Sequence, residues 1–110
     1  MTTRVVNVRD YKPYNEYWID QGPDSQYVYI GRFVRYQIPR GSKWGNPFAI
    51  GRNGTREEVI TKYREYVLNK PELLKLIPIE LKDKILGCWC KPELCHGDLL
   101  AQIADGNYKF

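Results

Sequence analysis

The chain has 110 residues, 43% of them hydrophobic and 27% charged, with a formal net charge of +4. That length fits one compact domain, residues 1–110, and does not supply two cores. No apolar run approaches the roughly 18 residues that a membrane-spanning helix needs.

The opening stretch MTTRVVNVRD lacks the long apolar core of a signal peptide. Val5, Val6 and Val8 predict a short strand in RVVNVRD. Residues 10–26, DYKPYNEYWIDQGPDSQ, mix turn formers with aromatics without a period and predict an irregular insert. YVYIGR predicts a second strand ended by Gly31. Residues 32–54 are rich in glycine and proline and predict a loop.

The clearest helix starts at Thr55. Thr55 and Glu58 have capping-box spacing, and Val59, Tyr63, Tyr66 and Val67 recur on one face. Pro71 closes that helix and opens another at PELLKLI, which Pro78 is expected to interrupt. ILGCWC then predicts a buried strand. CHGDLLAQIADG predicts a last helix with Leu99, Leu100, Ile103 and Ala104 as its buried stripe and Gly106 as its cap. This order predicts an α/β fold, a small sheet of about three or four strands covered by helices.

All three cysteines and the single histidine fall within residues 88–96. An odd cysteine count forbids full internal pairing, so reduced thiols in an intracellular setting are the simplest reading. On a strand Cys88 and Cys90 share one face. Cys95 and His96 fall at a helix start, where free N–H groups and the helix dipole favour a thiolate. Three readings follow. Cys95 can be a nucleophile or ligand contact with His96 as its partner and Asp98 orienting the imidazole or capping the helix. Cys88, Cys90, Cys95 and His96 can form a zinc set, although a C-x-C followed by an adjacent Cys-His is an unusual spacing. The cysteines can also be small buried hydrophobes.

The loop IGRFVRYQIPRGSKWGNPF is the second constellation. Arg32, Arg35, Arg40 and Lys43 lie among Gly31, Gly41 and Gly45. Such cations neutralise phosphate or carboxylate, and glycines let a backbone approach a ligand. Trp44 can stack on a base or sugar, or anchor the loop in the core together with Phe48. The nine tyrosines and three tryptophans equally suit stacking on nucleic acid and filling a small core.

Taken in order, VYIGR, GSKWGNPF, TREEVITKYREYV and LGCWCKPELCHGDLLAQIA closely resemble the DUF4326 family, across Val5 to Ala104. The resemblance implies that Gly31, Arg32, Lys43, Trp44, Gly45, Asn46, Pro47, Arg56, Tyr63, Cys88, Cys90, Cys95, His96 and Asp98 occupy family motif positions. The longer insert before YVYIGR departs from the pattern and is expected to reshape a pocket entrance. A weaker similarity to DUF488 proteins covers the Cys-His pair at the helix start. The family occurs in bacteria and many of their viruses, which implies the cytoplasm of a bacterial, archaeal or virus-infected host cell.

The expected site is a pocket between the glycine-rich loop and the Cys95–His96 helix start. Cys95, His96 and Asp98 would carry chemistry. Gly31, Arg32, Lys43, Trp44, Asn46 and Arg56 would hold a nucleotide, another phosphate-bearing ligand or a nucleic-acid end. No cofactor is expected unless zinc occupies the cysteine set, and no membrane partner is expected. The rivals are a non-catalytic nucleic-acid-binding module and a zinc-stabilised interaction domain.

Overall fold

The computed structural model describes residues 2–19, 22, 24–32 and 41–109. Its sheet has three parallel strands, β1 (Arg4–Asn7), β2 (Tyr27–Tyr29) and β3 (Ile85–Cys88), in the order β1-β3-β2. β3 is central. Leu86 pairs with Val5 on one side and Val28 on the other. Among the described residues four α-helices accompany the sheet: α1 (Tyr14–Tyr17), α2 (Arg56–Leu68), α3 (Pro71–Glu80) and α4 (His96–Ala104). The fold is α/β. Among the described residues no helix is long and apolar enough to cross a membrane.

Side chains alternate across the strands, so the sheet buries two different faces. Val5, Val28, Ile30, Leu86 and Cys88 face the main core, which α2, α3 and α4 close with Tyr63, Val67, Ile77, Leu99, Leu100 and Ile103. Tyr29 and Ile85, with Val6 and Tyr27 beside them, face the other side. The insert covers that second face. Trp18 is 5% exposed and sits over Gly87, where a Cβ would come within 2.6 Å of its ring. Tyr11, Tyr17, Trp18 and Tyr27 meet one another at centroid distances of 4.9 to 6.4 Å. The insert therefore buries the back of the sheet, and among its described residues Tyr14 meets Trp89, 5.8 Å away.

The helix signals act as read. Thr55 accepts from the Glu58 N–H while Glu58 accepts from the Thr55 N–H, closing the capping box of α2. α4 ends in Gly106 at φ 77°. The Gly106 N–H donates to Ile103 and the Asn107 N–H to Gln102, which is the Schellman pattern. Pro78 does not interrupt α3, which runs on to Glu80. The ring is exposed and lies in the last turn, so little helix remains beyond it to be disturbed. The predicted strand ILGCWC stops at Cys88, and Trp89 and Cys90 form a bend.

Candidate functional site

Parallel strands end on one edge, and ligands in open α/β sheets bind outside that carboxyl edge. A cleft of about 280 Å³ lies there. Gly31 and Arg32 enter it from the end of β2, Cys88, Trp89 and Cys90 from the end of β3, Cys95 and His96 from the start of α4, and Arg56, Val59 and Ile60 from α2. Asn46, Phe48, Ala49, Ile50 and Leu94 complete the lining. Among the described residues, two arginines and no carboxylate line the cleft.

Backbone clamps fix this geometry. Asn7, at the end of β1, donates its side-chain amide to the Trp89 and Lys91 carbonyls at 3.3 and 2.8 Å and so holds the bend that carries Cys90. Trp89 donates its indole N–H to the Tyr29 hydroxyl at 2.8 Å, and that hydroxyl donates to the Arg32 carbonyl. Gly31 is required here, because a Cβ would come within 2.4 Å of the Tyr29 hydroxyl. Arg56 donates to the Leu94 carbonyl at 3.3 Å and ties α2 to the loop before α4.

The three thiols converge, but they differ in exposure. Cys88 and Cys95 are each 1% exposed, with their sulfurs 2.8 Å apart. Cys90 is half-buried. The Cys95 thiol donates to Cys88, and hydrogen bonding from Cys95 is also the largest influence lowering Cys90. Cys90 is lowered to about 6 by that bond and, against the opposing effect of burial, by Arg56 and Arg32. Cys88 is lowered to about 7 by the Cys95 thiol and, against burial, by the Cys90 and Lys91 backbone. Donation to both partners, together with burial, pushes Cys95 strongly up. Cys95 is therefore the proton holder of the group, and Cys90 is the thiol that the cleft can reach.

His96 is buried, and its Nε2 lies 2.8 Å from the Ile30 carbonyl. Burial holds its pKa below the ordinary value against the backbone bonds to Ile30 and Trp44. A neutral ring that donates from Nε2 leaves Nδ1 as the acceptor, 3.7 Å from the Cys95 sulfur. The Cys95 sulfur and His96 Nδ1 thus face each other inside the protein.

The other expected residues divide. Gly31, Arg32, Asn46 and Arg56 line the cleft. The Asn46 amide is spent on the backbone, donating to Val59 and accepting from Phe48. Lys43 pairs with Glu80 at 2.8 Å and does not line the cleft. Trp44 is 2% exposed and belongs to the main core, with Tyr63 donating to its carbonyl at 2.7 Å. Asp98 caps α4 by accepting from the Cys95 N–H at 3.2 Å and pairs with Lys91, so it is the Ile30 carbonyl that orients the imidazole. Arg35 and Arg40 lie outside the described residues. No group of three or more His, Cys, Asp or Glu among the described residues is arranged to hold a metal ion. The apolar walls Phe48, Ile60, Trp89 and Leu94 were not foreseen as cleft residues. Trp89, an aromatic between two cysteines at a strand end, was the available signal.

Comparison with known proteins agrees with the order of motifs. Residues 15–106 match the family described as Domain of unknown function (DUF4326), and the chain belongs to that family. It is 40% identical over 87 residues to uncharacterized protein R718 of Acanthamoeba polyphaga mimivirus, an alignment covering 69% of this chain and 65% of that protein. It is 36% identical over 99 residues to the uncharacterized 12.4 kDa protein in the nrdA-td intergenic region of Enterobacteria phage T4, covering 77% of this chain and 90% of that one. No solved structure gives a significant match.

Proposed function

We propose that the cleft binds a small phosphate-bearing ligand, a mononucleotide in the first place. The observation that carries this reading is a pair of arginines, Arg32 and Arg56, in one cleft with no carboxylate among its described lining residues. Guanidinium groups match phosphate oxygens in geometry and charge. The apolar surface of Phe48, Ile50, Ile60, Trp89 and Leu94 offers a wall for a base. A volume of about 280 Å³ suits a mononucleotide better than a polymer.

The packing weighs against a nucleic-acid-binding surface, since Tyr11, Tyr17 and Trp18 of the insert pack against one another and against Tyr27. Calorimetric titration with inorganic phosphate, nucleoside monophosphates and single-stranded oligonucleotides tests the proposal. Binding of a monophosphate that weakens at least tenfold in Arg32→Gln or Arg56→Gln supports it. Absence of binding at millimolar concentration refutes it. So does an oligonucleotide that binds far more tightly than any mononucleotide, with the steep salt dependence of polyanion contact.

A further inference from the structure

Anion binding leaves the three converging thiols without a task. Two of the sulfurs are buried 2.8 Å apart, and the third stands at the cleft. Cys88 and Cys90 are too close in sequence for a relaxed bridge, which makes Cys95 the natural partner of each. We propose that Cys88, Cys90 and Cys95 form a thiol–disulfide exchange site. In it, Cys90 takes up a small anionic organic disulfide from the cleft, Cys95 resolves the mixed disulfide, and Cys88 receives the bridge. The site shares the cleft but does not rest on the phosphate reading. One is read by ligand binding, the other by thiol stoichiometry.

The chemistry balances without a further reagent. The Cys90 thiolate attacks one sulfur of the external disulfide RSSR, forms Cys90–S–S–R and expels RS⁻. Cys95 then gives up its proton, attacks the Cys90 sulfur and expels the second RS⁻, leaving a Cys90–Cys95 bridge. Cys88 attacks the Cys95 sulfur and releases Cys90, so the bridge ends between the two buried sulfurs. Two protein thiols are oxidised, one external disulfide is reduced to two thiols, and the two protons leave with them.

Three features favour this order. Thiolate character and access coincide at Cys90, as an attacking thiol requires. Once Cys90 is capped it carries no negative charge, so one of the two acceptors that hold the Cys95 proton is gone. His96 Nδ1, 3.7 Å from the Cys95 sulfur, is placed to take that proton. Arg32 and Arg56 draw an anionic disulfide to the cleft.

The test treats the native protein with dithiobis(nitrobenzoate), an anionic aryl disulfide that releases a coloured thiolate. With one equivalent of reagent the expected result is release of two equivalents of thiolate, no aryl group retained, and a Cys88–Cys95 bridge in the non-reduced peptide map; excess reagent then caps the freed Cys90 alone, releasing a third equivalent with one aryl group retained. Cys90→Ser should slow the first release at least tenfold, and Cys95→Ser should stop at one equivalent with the aryl group retained on Cys90. The wild-type stoichiometry needs no variant, and Cys90→Ser is a near-isosteric change at a half-buried position on the edge of the main core. Three equivalents with three retained aryl groups would overturn the proposal. So would an undiminished rate in Cys90→Ser, or a stoichiometric zinc ion that must be chelated before any thiol reacts.

Discussion

Removing the Arg56 guanidinium should move the titration of Cys90. A unit charge about 4 Å from a thiolate is worth about 4 kcal/mol at an effective dielectric of about 20. Cys90 is only half-buried and water screens the pair, so roughly a third of that remains, about one pKa unit at about 1.36 kcal/mol each. Cys90 titrates at about 6 in the native protein. Arg56→Gln should bring it to about 7, cutting the thiolate fraction at pH 6.5 roughly threefold. The assay is the rate of iodoacetamide labelling at Cys90 against pH, followed by peptide mass. Wild type and variant should differ threefold at pH 6.5 and converge by pH 9, where both are ionised. Arg56→Lys, which keeps the charge, should recover most of the difference. An unmoved midpoint in Arg56→Gln would refute the electrostatic reasoning, and a wild-type midpoint in the ordinary thiol range near 8.5 would remove its premise.

Three further outcomes follow from packing and burial. Tyr63→Phe removes the donor to the Trp44 carbonyl from a fully buried position and should cost about 1–3 kcal/mol in urea unfolding, with the m-value unchanged. Gly97→Ala places a Cβ 2.6 Å from Ile30 and 2.9 Å from Val5, and should cost about 1–3 kcal/mol by overpacking; a neutral result would mean that α4 sits farther from the sheet. Acidification should destabilise the native state. Folding lowers the pKa of His96 below its ordinary 6.5, so the unfolded chain takes up the proton first and stability falls as the pH drops below about 6.5. The low titration of Cys90 and Cys88 acts in the same direction, from the ordinary thiol value near 8.5 down to about 6. A denaturation midpoint that is flat from pH 7 to 5 would contradict the buried neutral imidazole.

Where the signal is local, the sequence reads well. The Thr55 capping box, the α4 stripe and the Gly106 terminus depend on spacing within a turn or two, and all three form as expected. The gathering of the cysteines and His96 at one strand end and helix start is legible for the same reason. What needs long-range packing is not. Alternation placed Cys88 and Cys90 on one face, but the Asn7 clamp on Trp89 and Lys91 ends the strand and turns Cys90 toward the cleft. Trp44 sits among glycines and a lysine, as a ligand-stacking residue would, and only the core around Tyr63 and Leu100 reveals that it is buried. The insert has no period because its aromatics pack on a sheet face completed by Ile85 and Gly87 of β3, distant in sequence.

Arg32, Arg56 and the Cys90 thiol line one ligand-sized cleft. A bound nucleoside monophosphate should therefore protect Cys90, which the alkylation rate at Cys90 against monophosphate concentration measures. Saturable slowing is expected, with a midpoint equal to the calorimetric Kd and loss of protection in Arg32→Gln. A monophosphate that binds at that Kd while Cys90 reacts at its unliganded rate would contradict binding in this cleft.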